Sequence, residues 1–455
     1  MGTRKNISSL HVPHNKHTAA SVPMAIETPS EVVLPLNVTG SSSNESASCV
    51  AEGDYVRVGQ VIATEKGRFS DIIHAPVSGK VTKVGPVFFD TDKPVEGIVI
   101  ESDGKMELSP DIKKPEFSTC DEFLQAVKDS GAVGLGGAAF PTWAKLKEAT
   151  NPDYKVDTVL INAAECEPYI TSDHRMMLAH PELIADGIEY MKKYMSEYLG
   201  SAKFMICIEE NKPDAIEILE KTFEGKDYVE IKRLKAIYPQ GAKQVMLYNA
   251  TGRVAVAGRR FPSFGALIIN VSTLAKLAEY LNTGMPLVER IVTVDGTAVK
   301  TPRNLIAPVG TKISELLKYV ELKDGAKIGK VIIGGPMNGT SVYSIDTPIS
   351  KVGNAVLLFD EKDSVLAEPT ACIHCGRCNE KCPVGINVVD VEKAFKCKNE
   401  EEREREIIKT GVRQCVDCGC CSYVCPAHRP LLPINREAIS WVKNYAWEKK
   451  EGGKK

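Results

Sequence analysis

The sequence C-x2-C-x2-C-x3-C-P occurs twice near the C-terminal end, as Cys372, Cys375, Cys378, Cys382 and Pro383, and as Cys415, Cys418, Cys421, Cys425 and Pro426. A tight C-x2-C-x2-C loop turns three thiolates toward one centre, and a four-iron cubane needs a fourth from a more distant stretch. Two such sets predict two [4Fe–4S] clusters in a helical domain, with electrons passing through them one at a time. Structural zinc is the competing reading. It takes four ligands in two pairs, rather than a triplet followed by C-P, and this pattern appears twice. Of the 14 cysteines, Cys420 is surplus within the second loop, and Cys49, Cys120, Cys166, Cys207 and Cys397 lie outside both motifs. Most of these read as small buried hydrophobes.

In two-cluster ferredoxins the fourth cysteine of each motif ligates the cluster of the other. That resemblance implies one cluster on Cys372, Cys375, Cys378 and Cys425, and a second on Cys415, Cys418, Cys421 and Cys382. Between the motifs, Val388 to Thr410 reads as helix, and the mixed charges of Glu400–Glu406 read as its solvated face. A last helix after Pro433 carries Ile434, Ala438, Trp441, Val442 and Tyr445 at helical spacing, followed by a frayed tail over Lys449–Lys455.

With 455 residues, 43% of them hydrophobic and 25% charged, the chain is long enough for several cores. A formal net charge of −2 gives no nucleic-acid footprint. No apolar run reaches the ~18 residues of a membrane helix, and the N-terminal stretch has no apolar signal core. The expectation is a cytosolic protein, peripheral to any membrane, in which N-x-[ST] triplets such as Asn37-Val38-Thr39 carry no meaning.

Residues 31–105 read as short strands: EVVLP, DYVRVGQVIAT, DIIHAPVSGKVTKV and GIVIESDG, with turns at Gly53-Asp54 and Ser78-Gly79. GDxVxxGQxI followed by APxSGxV resembles the barrel-sandwich of lipoyl and biotinyl carriers. The hairpin around Thr64–Arg68 contains Lys66, but in the context EKGRF, so an unmodified structural barrel is expected. Residues 115–285 alternate helix and strand. Helices are expected at 119–130, 141–149, 180–199, 212–223, 240–250 and 272–283, and strands at VDTVLINAA, AKFMICIEE, VEIKRLKAI and GALIINV, giving an α/β domain. The glycine-rich loop Gly131–Pro141 precedes a helix, where exposed backbone N–H groups suit a phosphate. It fits neither GxGxxG nor the P-loop.

GLGGAAFPTWAK (Gly134–Lys145) resembles the flavin loop of the NADH-oxidising subunit of respiratory complex I. LINAAECEPYITSDHR (Leu160–Arg175), IYPQG (Ile237–Gly241) and IINVSTL (Ile269–Leu274) resemble its other cofactor-lining stretches. The combination is most similar to the RnfC family of the Rnf electron-transport complex, over roughly residues 10–435. The resemblance implies a multidomain α/β plus β chain. It would comprise an N-terminal arm (1–30), a barrel-sandwich hybrid (31–110) and an FMN/NAD-binding α/β domain like that of the complex I flavin subunit (111–285). An SLBB β-grasp domain (286–362), a helical two-cluster ferredoxin-type domain (363–432) and a C-terminal helix and tail (433–455) would follow. The β-grasp segment is ERIVTVDGTAVKTPRNLIAPVGTKISELLKYV with KVIIGGPMNGTSV.

The same resemblance implies noncovalent FMN, with NAD(H) as hydride partner. A flavin links the two-electron chemistry of NADH to one-electron clusters. Carried over residue by residue, Gly134, Gly136 and Gly137 cradle the FMN phosphate, with Lys145 nearby. Asn162 and Glu165 face the flavin, Glu167 lies toward the NAD ribose, and Tyr238, Asn270 and Thr273 close the pocket. Without the resemblance, Lys145 reads as a solvated helix lysine, Asn162 as a turn cap, and the two glutamates as surface acids. Two departures stand out. YPQGAKQ has Lys243 where the family has an acid, which bears on NADH against NADPH use and on whether nucleotide binding is retained. The loop Asn37–Cys49 is Ser-rich where the family reads like QHIGAP. The implied partners are the other subunits of a membrane-bound Rnf-type complex at its cytoplasmic face, and ferredoxin indirectly. The alternative is a soluble relative that serves a reductase such as proline reductase. His11, His14 and His17 read as part of an arm packed on a neighbouring surface, with a metal cluster as the competing reading.

Overall fold

The computed structural model describes residues 7–36, 45–67, 69–89, 93–137 and 139–452, and only the backbone at 45, 66 and 446–452. Asn37–Thr39, residues 40–44 of the Ser-rich loop, the Lys66 side chain, Arg68, Ala138 and the end of the tail lie outside the described residues. The chain forms two compact units. One comprises His14–Arg233 and Phe261–Ser364, and the other Met1–Pro13, Leu234–Arg260 and Val365–Lys455.

The larger unit begins with an arm whose strand β1 (Met24–Ala25) joins a sheet built far downstream. The barrel follows, with β2 (Glu31–Pro35), β3 (Glu45–Ser48), β4 (Tyr55–Val56), β5 (Val61–Lys66), β6 (Ile72–His74), β7 (Gly79–Val87) and β8 (Val95–Ser102). They form two antiparallel sheets, ordered β2-β8-β7-β4 and β3-β5-β6. In β7, Gly79 and Val81 are buried and Lys80 and Thr82 exposed, the period-two alternation of a half-buried strand, until a bulge between Val81 and Lys83 shifts the register and sends Val87 to the other face, against Val33 and Val99. Gly79 is obligatory: at φ +154, a Cβ there would stand 2.0 Å from the Glu101 carbonyl oxygen.

The α/β layer runs α1 (Cys120–Asp129), α2 (Thr142–Ala149), β9 (Thr158–Ala163), α3 (Ser172–Ala179), α4 (Pro181–Tyr194), α5 (Ser196–Leu199), β10 (Lys203–Glu209), α6 (Pro213–Thr222), β11 (Val229–Leu234), β12 (Ala266–Asn270) and α8 (Val271–Thr283), while α7 (Lys243–Thr251), between β11 and β12 in the chain, belongs to the smaller unit. Thr119 and Glu122 close a capping box at the start of α1. The expected helix over 180–199 is two helices, α4 and α5, with a break at Met195. The sheet order is β11-β10-β9-β12, and β9 pairs in parallel with both β10 and β12. Val159, Ile161, Phe204, Ile206, Leu267 and Ile269 build the core under helices α4 and α8.

A six-stranded mixed sheet completes this unit. It contains β13 (Glu289–Asp295), β14 (Arg303–Pro308), α9 (Ile313–Leu316), β15 (Ile328–Ile333), β16 (Thr340–Val342) and β17 (Ala355–Asp360), in the order β1-β14-β13-β17-β15-β16. The short helix α10 (Glu361–Ser364) ends the unit.

The smaller unit holds α7 together with α11 (Arg377–Glu380), α12 (Val388–Phe395), α13 (Glu400–Lys409), α14 (Cys420–Tyr423) and α15 (Leu431–Gly452). Its core is Ile386, Val388, Val391, Ile407, Val412, Leu431, Leu432, Ala438 and Val442, with the cysteine loops packed into it. The helix expected over 388–410 is broken after Phe395. Asn399 starts α13 by accepting a hydrogen bond from the Glu402 amide at 2.9 Å. The last helix begins at Leu431, two residues before Pro433, because proline is tolerated in a first turn that has no bond to lose.

Candidate functional site

In the parallel sheet the chain runs one way from β9 to β10 and β11, then returns to place β12 on the other side of β9. The crevice at the carboxyl ends of β9 and β12 is therefore a topological switch point, where open α/β sheets bind ligands. Asn162 and Asn270 end those two strands and are direct register partners across it. Asn270 caps α8, accepting the Thr273 amide at 3.0 Å, and its Nδ2 donates to Asp173 at 2.7 Å.

The glycine-rich loop closes over this crevice. Val133 bridges Pro141, and the Gly134 amide donates to the Phe140 carbonyl at 3.0 Å. The loop is tied down from three sides. The Leu135 amide donates to Thr273 Oγ1 at 2.9 Å, the buried Arg290 donates to the Leu135 carbonyl at 3.1 Å, and the buried Lys351 donates to the Gly131 carbonyl at 2.8 Å. Leu135 is buried whereas Gly136 and Gly137 are exposed, so the tip offers bare backbone to solvent. A Cβ at Gly136 would meet Asn270 Nδ2 at 2.8 Å. The loop runs into the first turn of α2, which carries Lys145. Open amides on a switch point, with no Cβ in the way, fit the phosphate end of a mononucleotide such as FMN.

The acidic stretch after β9 is held more tightly than surface acids would be. Glu165 is 5% exposed, and its carboxylate accepts from the Asp173 amide at 2.7 Å and the His174 amide at 3.3 Å, the free N–H groups at the start of α3. Burial raises its pKa, opposed chiefly by the charge of Lys16. Asp173 is buried beside it, with its pKa also raised by burial, and it accepts from Ser272 and Asn270. Glu167 Oε2 accepts from the Met337 amide at 3.2 Å, in the GGPMNG turn after β15. The close approach demands glycine: a Cβ at Gly335 would lie 2.0 Å from that oxygen. Sequence reasoning missed Lys16, Asp173 and Arg290. Asp173 lay inside a recognised motif and Arg290 inside the β-grasp segment, neither singled out, and Lys16 lay in no motif.

Gly134, Gly136, Gly137, Lys145, Asn162, Glu165, Glu167, Asn270 and Thr273 thus all belong to the larger unit. Tyr238 and Lys243 belong to the smaller one. Tyr238 is 1% exposed there, and its hydroxyl donates to the Cys418 carbonyl at 2.7 Å. Lys243 is exposed at the first turn of α7.

The two cysteine motifs have matching geometry. Positive φ at His374 and Asp417, and at Gly376 and Gly419, turns each loop alike. The His374 and Asp417 amides each point at the sulfur two residues back, Cys372 and Cys415, at 3.4 Å. Cys382, Cys415, Cys418 and Cys421 line one small pocket, so the fourth cysteine of the first motif sits among the three of the second. Burial raises the Cys382 thiol and pushes Cys415 and Cys421 up to about 12. Cys418 is raised first by its hydrogen bond with Cys420, so the surplus cysteine has a partner within the loop. Near Cys378 the neighbouring thiols are Cys425 and Cys372. Such thiols stay protonated until iron replaces the proton, which is how a cluster would be held here. Among the described residues, no three His, Cys, Asp or Glu side chains close on a single-ion site. The histidines of the arm make other contacts: His17 Nδ1 lies 3.1 Å from Asp295.

Residues 7–105 match the RnfC barrel sandwich hybrid domain, 127–279 the Nuo51 FMN-binding domain and 364–426 the 4Fe-4S dicluster domain. The chain is 35% identical over 389 residues to the C subunit of the Na(+)-translocating ferredoxin:NAD(+) oxidoreductase complex of Acetobacterium woodii, covering 84% of this chain and 85% of that one. It is 34% identical to the proton-translocating counterpart of Clostridium ljungdahlii, over 83% and 81% of the two chains. A solved NAD+-reducing [NiFe]-hydrogenase, in the H2-reduced state, superposes with a TM-score of 0.48 at 19% identity, over 70% of this chain and 63% of that chain. The crossed thiol sets, the glycine loop on its switch point and the near full-length match together place the chain in the RnfC family of the ion-translocating ferredoxin:NAD+ oxidoreductase (Rnf) complexes.

Proposed function

We propose that the chain exchanges hydride with NAD(H) at FMN and passes single electrons through two [4Fe–4S] clusters to the other subunits of an Rnf-type complex, with ferredoxin at the far end. The observation that carries this is the exposed Gly136–Gly137 backbone over Asn162 and Asn270 at the switch point of a parallel sheet. FMN, when bound, takes two electrons from NADH and gives them up singly. In this reading Gly134, Gly136 and Gly137 cradle the phosphate, the open amides being those of Gly136 and Gly137, with Lys145 adding charge. Asn270 and Thr273 fix the loop, Asn162 and Glu165 face the flavin, and Glu167 lies toward the nucleotide ribose. Cys372, Cys375, Cys378 and Cys425 hold one cluster, and Cys415, Cys418, Cys421 and Cys382 the other.

The segments 31–110, 111–285, 286–362 and 363–432 serve as barrel, flavin domain, SLBB-type β-grasp domain and cluster domain, flanked by the arm 1–30 and the C-terminal helix 433–455. Among the described residues, no helix is long and apolar enough to cross a membrane. As in the ion-translocating complexes whose C subunits it resembles, the chain works as a peripheral subunit at the cytoplasmic face of a membrane complex.

The test is anaerobic purification followed by metal, sulfide and flavin analysis. About eight irons, eight sulfides and one FMN per chain are expected, with NADH-driven reduction of ferricyanide. A chain loaded with FMN and both clusters, yet inert to NADH and NADPH, would overturn the hydride-exchange reading.

A further inference from the structure

Lys16 is half-buried, and its ammonium turns into the larger unit onto a loop 149 to 154 residues away in sequence. Its Nζ donates to the carbonyl oxygens of Glu165 at 2.7 Å, Glu167 at 2.7 Å and Ile170 at 2.6 Å. An ammonium has three protons, and all three are used on one loop. That loop carries both glutamates assigned to the flavin and nucleotide. The rest of the arm is fastened to the same place. The Tyr169 amide donates to the His14 carbonyl at 2.9 Å, and Thr18 Oγ1 lies 2.6 Å from Thr171 Oγ1. Asn304 Nδ2 donates to the Thr18 carbonyl at 3.0 Å, and Arg175 to the Ala19 carbonyl at 3.1 Å.

A surface lysine would not be drawn in this way. Burying an ammonium is costly unless every proton is bonded and a countercharge stands near. Here the acceptors are main-chain oxygens whose positions decide where Glu165 and Glu167 stand. The two carboxylates are held from their far ends, Glu165 by the α3 amides and Glu167 by the Met337 amide. Lys16 holds the near ends, and its positive charge is the principal one acting on Glu165.

The geometry points to Lys16 as a positioning residue for the acidic loop: it fixes the backbone from Glu165 to Ile170, and through it the placement of Glu165 and Glu167 for nucleotide binding. The nucleotide part rests on the function proposed above, while the loop-fixing part does not. Three full-length variants separate the contributions: Lys16→Met removes donors and charge, Lys16→Gln keeps donors without charge, and Thr18→Val cuts only a neighbouring tie of the arm.

Two readouts are taken on FMN-loaded protein. Hydrogen exchange of the amides in 164–171 should speed up about tenfold or more in Lys16→Met, less in Lys16→Gln, and about twofold in Thr18→Val, with β10 unchanged. The KM for NADH in ferricyanide reduction should rise about tenfold in Lys16→Met while kcat stays within about threefold, as lost ground-state positioning requires. A merely structural lysine would lower the unfolding temperature and leave exchange in 164–171 and KM at wild-type values, and that result overturns the proposal. If Lys16→Met does not fold, the graded pair Lys16→Gln and Thr18→Val decides by the same readouts. If the wild type ignores NADH, the function proposed above fails, and the exchange experiment alone still confirms or refutes the loop-fixing role.

Discussion

Cys382 sits with the second motif's thiols, not with those of its own motif, and so single substitutions should act across motifs. Cys382→Ser should weaken the cluster held by Cys415, Cys418 and Cys421, and Cys425→Ser the cluster held by Cys372, Cys375 and Cys378. Low-temperature EPR of the reduced variants distinguishes this from damage within the mutated motif. At the glycine loop, Gly136→Val places a branched side chain against Asn270, which is not free to swing because Asp173 and the Thr273 amide hold it. FMN affinity should fall about a hundredfold in a fluorescence titration, roughly 2.7 kcal/mol, with the fold retained. The cysteines and glycines were legible in the sequence because their chemistry is local: ligand spacing and the lack of a Cβ are written into consecutive residues. Lys16 and Arg290 were not, since nothing in HNKHT or VERIV announces that a distant loop will present carbonyl oxygens to them.

At the scale of elements, the sequence periods located most helices and strands of the α/β layer to within a few residues. They erred where a helix is interrupted, at Met195 and at 396–399, because an amphipathic pattern can continue across a break, which at the second site the Asn399 cap enforces. The pairing of β1 with β14 was also invisible, since two residues of strand carry no periodicity. A buried seam joins β6 to the glycine loop and to the segment before β17. Lys351 donates to Asp71 at 2.9 Å, to the Ile72 carbonyl and to the Gly131 carbonyl, and His74 lies alongside. Burial, with the charge of Lys351, lowers the His74 imidazole to about 3. It is therefore neutral in the fold and takes up a proton only on unfolding. Its contribution is complete above the ordinary histidine pKa near 6.5 and is lost as pH falls from there toward 3. Between pH 6 and 5 the wild type should lose about 1 kcal/mol more stability than His74→Gln, measured by urea unfolding followed through Trp143, whose indole donates to the Ser70 carbonyl beside this seam.

At the scale of the molecule, the two thiol sets face different surroundings. Cys372 and Cys375 are exposed, along with neighbouring Ile373 at 67%. Cys382, Cys418 and Cys421 are buried, and Leu432 and Asn435 of α15 complete the wall of their cavity. Limited exposure of the purified protein to air should release iron in two phases of about four irons each, with the EPR signal of the Cys372 set vanishing first. The enclosed set has a further consequence for biogenesis. Leu432 and Asn435 lie at the very start of α15, so the docked helix should slow the entry of iron and sulfide to this set relative to the set that holds the exposed Cys372 and Cys375. After oxidative loss, reconstitution of the purified chain should then refill the exposed centre faster than the buried one.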